Sequence, residues 1–224
     1  QFSGGIDRIG ELKSLHLLYL NSNQFSGGID RIGELKSLEF LHLNNNQFSG
    51  TIPSGFQHLK QLWAGNNKLT GPLPDIHSND LHILSVHDNQ FSGHLLINTN
   101  ATKLLEVLQV HNNKFSGNPF SSIINAKVLK VLDISTNSFT GVVPDTLFSQ
   151  LSKLNTFVIG SNCFTGTISE KICDVLSLRT LVLTGMGSGP TCTERFWENT
   201  PFDNIFNGFR SKHYIEGTLP ECLF

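Results

Sequence analysis

The chain reads as an α/β solenoid. The expected form is a right-handed superhelix of about nine coils. One parallel β-sheet lines its concave face, and short helical or irregular segments close its convex side. Three observations predict this. A pattern first seen whole at residues 15 to 29, LHLLYLNSNQFSGGI, returns along most of the 224 residues. Its Asn falls at Asn23, Asn46, Asn67, Asn89, Asn113, Asn137 and Asn162, a period in the twenties that marks stacked structural repeats. Residues 1 to 15 and 24 to 38 are identical, which a stack stabilised by nearest neighbours tolerates easily.

Each repeated position has a physical job. Alternation in L-x-L places Leu18 and Leu20 on one face of a short strand and Tyr19 on the other. The inward Leu, Val and Ile of successive strands make a core that no single coil buries alone. The Asn follows the strand, where its amide can satisfy backbone N–H and C=O groups left unpaired by the turn. A Phe column follows (Phe2, Phe25, Phe48, Phe91, Phe115, Phe139 and Phe164, with Leu69 in one coil) and reads as a core spine, not a binding box. Glycines at constant offset, Gly27 and Gly50 among them, suit a bend with positive φ or a close coil-to-coil approach. Leu spacing at i+3 to i+4 in Ile32–Leu35 and Leu147–Leu151 predicts one or two helical turns on the convex side. The polar stretch Ile76–Asp80 is not expected to be helical, and Ala64 should thin the core of the third coil.

Here the residues resemble the plant-type leucine-rich repeats, whose L-x-x-L-x-L-x-x-N-x-L/F-S/T-G-x-I-P reads LEFLHLNNNQFSGTIP at residues 38 to 53. The resemblance covers roughly residues 1 to 190. It is shared by receptor-kinase ectodomains, secreted inhibitors of cell-wall-degrading enzymes and surface proteins of algae. It therefore specifies architecture more than task, because function sits on the variable positions of a shared scaffold.

Residues 1 to 189 form the regular coils. Residues 190 to 224 read as a degenerate coil, or a looped-out island, leading into the start of a further repeat. Phe202, Ile205, Phe206, Phe209 and Tyr214 would supply its core. Gln1 enters in mid-repeat without a polar cap, so the chain is expected to be a fragment of something longer. Further segments of the same repeat are then candidate partners. Cys163, Cys173, Cys192 and Cys222 cluster in the last third and suggest disulfides; of three connectivities, Cys173–Cys192 is preferred as a staple of the last regular coil. Asn100-Ala101-Thr102 is an N-glycosylation sequon in a convex turn. Cysteines, sequon and repeat subclass together point outside the cell or to its surface. A net charge of −2 argues against nucleic acid, and no apolar run is long enough to span a membrane.

The outward strand positions carry the candidate site. Tyr19, Phe40, His42 and Trp63 gather in the first coils, where polar residues would suffice for a solvated sheet. Such a patch suits stacking on a sugar or anchoring a peptide. His87 and His111 share a column on adjacent strands, with Cβ atoms expected about 5 Å apart. They are read as part of the ligand surface, with no metal and no cofactor assigned. No Ser/His/Asp or Cys/His constellation recurs, and Asp133 on an open sheet lacks the shelter a general base needs. The leading expectation is a non-enzymatic extracellular recognition or adhesion module for a protein or glycan. The alternatives are a structural piece of a surface or filamentous assembly and an inhibitor of a secreted hydrolase. Ice binding through the Ser/Thr column that includes Ser26, Ser49 and Thr70 is less favoured, because packing accounts for that column.

Overall fold

A computed structural model describes residues 1–98, 100–185, 192 and 220–223. Two parallel sheets of eight strands each run the length of the described solenoid. The concave sheet is built from three-residue strands: Leu17–Tyr19, Phe40–His42, Gln61–Trp63, Ile83–Ser85, Val107–Gln109, Val131–Asp133, Thr156–Val158 and Thr180–Val182. Their register is unbroken, Leu18 opposite Leu41, Leu41 opposite Leu62, and so on to Leu181. The central residue of each strand points inward, and from Leu41 to Phe157 it is almost wholly buried. The alternation expected from the sequence is therefore the alternation found.

The second sheet is not foreseen by the sequence reading, which took the Q-F-S-G segments for a core spine and a bend. They pair as strands, among them Gln24–Gly27, Gln47–Gly50, Lys68–Gly71 and Lys114–Gly117. The physical reason is again period two. Phe faces in, while the flanking Gln or Lys and Ser or Thr face out. The Ser/Thr hydroxyls also work structurally: Thr70, Ser116 and Thr165 each donate to the Gly carbonyl of the preceding coil. The strands end at Gly in the left-handed region, φ +86° at Gly27 and +79° at Gly50, where a Cβ is disfavoured.

Between the sheets lies the Asn ladder, and its reach extends beyond its own turn. Oδ1 of Asn46 accepts from the N–H of Phe25 in the preceding coil. Its Nδ2 donates to the carbonyls of Leu20, also in the preceding coil, and Leu43. Asn67, Asn89, Asn113, Asn137 and Asn162 repeat the arrangement. Each Asn thus joins both sheets and two coils. The residue before it takes a left-handed conformation in every coil from Ser22 to Ser161, including β-branched Thr136 at φ 51°.

Convex segments differ from coil to coil. The coils closing at Asn137 and Asn162 are among the longest, and they carry the α-turns Phe120–Ile123 and Thr146–Gln150. Asp30–Glu34 and Glu170–Asp174 form tighter 3-10 turns. The two shortest coils, residues 46–89, have no helix, and Ile76–Asp80 is irregular as expected. Ala64 is fully buried, and Phe56 in the same coil adds a large buried side chain.

The cysteines pair as Cys163–Cys192 and Cys173–Cys222, with Cα separations of 5.3 and 5.9 Å. This corrects the preferred Cys173–Cys192. Cys163 begins a strand of the second sheet and is buried, whereas Cys173 sits in the convex turn Glu170–Asp174. The two lie in different layers of one coil, and Cys173 bonds to Cys222 of the short turn Glu221–Leu223. Apart from Cys192 and residues 220–223, the segment read as a degenerate coil or island, with its apolar residues Phe202 to Tyr214, lies outside the described residues. No described helix is long and apolar enough to cross a membrane.

Gly160 marks a backbone contact that tolerates no side chain. A Cβ there would overlap the carbonyl oxygen of Thr184 in the next coil. Gly160→Ala is therefore expected to destabilise the fold by about 1–3 kcal/mol in equilibrium unfolding, because backbone and not a flexible side-chain tip must shift.

Candidate functional site

The outward concave residues fall into the columns the pattern implies. Tyr19 lies opposite His42, His42 opposite Trp63 and Trp63 opposite Ser85. Phe40 lies beside Leu17 and Gln61 in the neighbouring column. The structure thus brings Tyr19, Phe40, His42 and Trp63 together. The Tyr19 and His42 rings stack at 4.2 Å, and Trp63 meets His42 edge-on at 6.1 Å. Gln61 holds the patch in place: its Oε1 accepts from Trp63 Nε1 at 3.3 Å and lies 3.3 Å from His42 Nε2. Burial lowers the His42 pKa, with the Gln61 contact opposing it, so the ring favours its neutral form. Lys60 stands over the Phe40 ring at 5.8 Å and pairs with Glu39 at 2.6 Å.

Beside the patch runs an open groove of about 370 Å³. Phe40, Ile83 and Val107 line it with apolar surface, and Lys60, His82 and Glu106 with polar groups. Apolar surface and polar groups together are usual in a protein-recognition surface.

His87 and His111 sit one and two coils beyond Trp63, outside the aromatic patch. They follow adjacent strands, and their rings stack with centroids 4.6 Å apart. Between them is a group the sequence reading missed, Asp88. Its Oδ2 lies 2.8 Å from His87 Nδ1 and 3.9 Å from His111 Nε2. Asp133 flanks the other side, with Oδ2 3.1 Å from His111 Nδ1. The hydrogen-bonding Asp133 carboxylate raises the His111 pKa, against burial, and Asp88 adds to the effect. Burial works to raise both aspartates, yet Asn112 and His87 hold Asp88 low, and His111 and Ser135 hold Asp133 low. The signal for Asp88 was present: in the turn position before each ladder Asn the coils read Ser, Asn, Asn, Asp, Asn, Thr, Ser, a single acid next to a His pair.

Asn100 is exposed on the convex turn, while Thr102 of the same sequon is buried. Cys163, Cys173, Cys192 and Cys222 are all engaged in the two disulfides.

These features define a leucine-rich-repeat solenoid whose concave sheet carries an aromatic patch, a groove and a His/Asp cluster. The Leucine Rich Repeat family model matches residues 37–59 and 128–150. The fold is similar to the structure of PEPR1-AtPEP1, at 33% identity and a TM-score of 0.74 over 82% of this chain and 27% of that one. It is similar to the Arabidopsis receptor kinase HAESA in complex with the peptide hormone IDA and the co-receptor SERK1, at 31% identity and a TM-score of 0.74 over 82% of this chain and 32% of that one. A plant ice-binding protein matches at 25% identity and a TM-score of 0.51, over 84% of this chain and 71% of that one. The chain thus spans about a third or less of the first two structures it matches. No curated protein matches it by sequence.

Proposed function

We propose that this chain is an extracellular, non-catalytic recognition module. Its concave sheet holds an extended peptide or protein segment across Tyr19, Phe40, His42 and Trp63. The observation that carries the reading is the contiguous, partly exposed aromatic patch, held by Gln61 and continuous with an apolar groove. Aromatic anchors in such settings contribute most of the energy of an interface. The likeness to HAESA, solved with a peptide hormone, supports a peptide over a sugar. Two disulfides suit an oxidising, extracellular setting, and the exposed Asn100 accommodates a glycan there.

The test is a binding screen of the purified chain against an array of extended peptides and an array of oligosaccharides. Saturable binding to peptides is expected. Trp63→Ala and Phe40→Ala should each weaken it by about tenfold or more, the scale of a lost aromatic anchor, with the unfolding midpoint nearly unchanged. Binding confined to oligosaccharides would replace the peptide by a glycan. Binding to neither array, or binding indifferent to Trp63 and Phe40, would overturn the reading in favour of a scaffold.

A further inference from the structure

The His/Asp cluster is arranged for more than solvation. Asp88 is fixed because its Oδ1 accepts from Asn112 Nδ2 at 2.6 Å, which leaves Oδ2 facing both histidines. Asp133 is fixed in the same manner. Its Oδ1 accepts from the N–H and the hydroxyl of Ser135, leaving Oδ2 beside His111 Nδ1. That nitrogen is sheltered from solvent. Among the described residues it is the one buried side-chain nitrogen or oxygen without a well-aligned hydrogen-bond partner. A carboxylate behind one imidazole nitrogen and an open second nitrogen is the arrangement that orients a metal-binding His. One donor atom from each of His87, Asp88 and His111 falls within 4.8 Å of the others.

We propose that His87, His111 and Asp88 bind one divalent first-row transition ion of the zinc or nickel class, with Asp133 as the residue that positions His111. Two imidazoles and one carboxylate form a borderline donor set, suited to these ions and poorly suited to calcium or magnesium. Donors about 2.0–2.1 Å from a tetrahedral ion stand about 3.3 Å from one another. The observed contacts to Asp88 Oδ2, 2.8 and 3.9 Å, lie on either side of that value. The two rings stack within 9° of parallel, so both imidazoles must turn about their side-chain torsions to aim a nitrogen at one ion. Gly65 makes room for one ligand: a Cβ there would sit inside the His87 ring. The cluster opens onto the sheet, so the remaining coordination positions fall to water or to an incoming group.

The experiment is isothermal titration of the chelator-treated, disulfide-intact chain with zinc chloride and with nickel chloride at mildly alkaline pH. Visible absorption of added cobalt reads the geometry. One ion per chain is expected. His87→Gln, His111→Gln and Asp88→Asn should each weaken binding by more than about tenfold, and Asp133→Asn by about tenfold. His58→Gln with His77→Gln, both outside the cluster, should leave it unchanged. Gly65→Ala displaces the His87 ring without replacing any of the ligand residues and should weaken binding while the fold persists. Absence of saturable one-to-one binding overturns the proposal, as does binding retained in the His87→Gln/His111→Gln double variant. Either result leaves the aromatic-patch reading standing, because none of these residues belongs to that patch.

Discussion

Asn137→Ala is expected to cost about 3–6 kcal/mol, because it strands several buried backbone groups at about 1–3 kcal/mol each. The side chain is fully buried. Its Oδ1 accepts from the Phe115 N–H at 3.0 Å, and its Nδ2 shares two hydrogens among the carbonyls of Val110, Ile134 and Ser135. Alanine removes all of these partners from a place water does not reach. Asn23→Ala is the control. Asn23 receives the N–H of exposed Phe2, and its donors go to carbonyls of its own turn, so solvent can replace them. A cost of about 1 kcal/mol is expected there. Asn137→Asp separates the two halves of the amide. The acceptor survives, but at neutral pH a carboxylate faces carbonyl oxygens in a buried site. Burial would raise the pKa of that acid in the folded state, so the variant should regain stability as pH falls and the acid becomes a donor. Chemical denaturation of the three variants at two pH values checks this. Equal costs for Asn137→Ala and Asn23→Ala would mean that the ladder does not hold the coils together.

How much of this was legible in the residues follows from which interactions have a period. Strand register, the inward Leu column, the ladder Asn and the left-handed Gly recur at a fixed offset in nearly every coil, so stacking multiplies one local preference into a readable pattern. The concave columns follow from the same offset, which is why the sequence alone groups Tyr19, Phe40, His42 and Trp63. The second sheet was missed because its strands are four residues of Gln or Lys, Phe, Ser or Thr, and Gly. Gly marked a bend, and only the stacking of one coil on the next pairs these segments into a parallel ladder. Disulfide pairing was illegible for a different reason. Cys163 and Cys173 are ten residues apart, yet they lie in different layers of one coil, and chain distance says nothing about layer. Asp88 was overlooked because its column in the other coils holds Asn, Ser or Thr, which read as turn-formers. Only the stacking of His87 on His111 makes that one carboxylate chemically distinct.

Phe139→Ala should cost about 3–5 kcal/mol, the range for truncating a fully buried aromatic. Phe139 has no exposed surface and stacks between Phe115 at 6.1 Å and Phe164 at 6.5 Å, with ring planes within 12° of each neighbour. A cavity there opens between two coils, and the neighbouring strands cannot collapse into it without breaking the ladder bonds on either side. Phe2→Ala makes the opposite change in the same column. Phe2 is 74% exposed although it lies 6.4 Å from Phe25, so a change within about 0.5 kcal/mol is expected. The chain also carries its own substitution at this position, since Leu69 is fully buried in the Phe column. The column therefore demands volume before it demands a ring. Phe139→Leu should recover more than half of the loss, leaving about 1–2 kcal/mol for the unfilled space and the lost stacking. Equilibrium unfolding of Phe139→Ala, Phe139→Leu and Phe2→Ala orders the three. If Phe139→Leu proved as damaging as Phe139→Ala, ring stacking and not filled volume would be what joins one coil to the next.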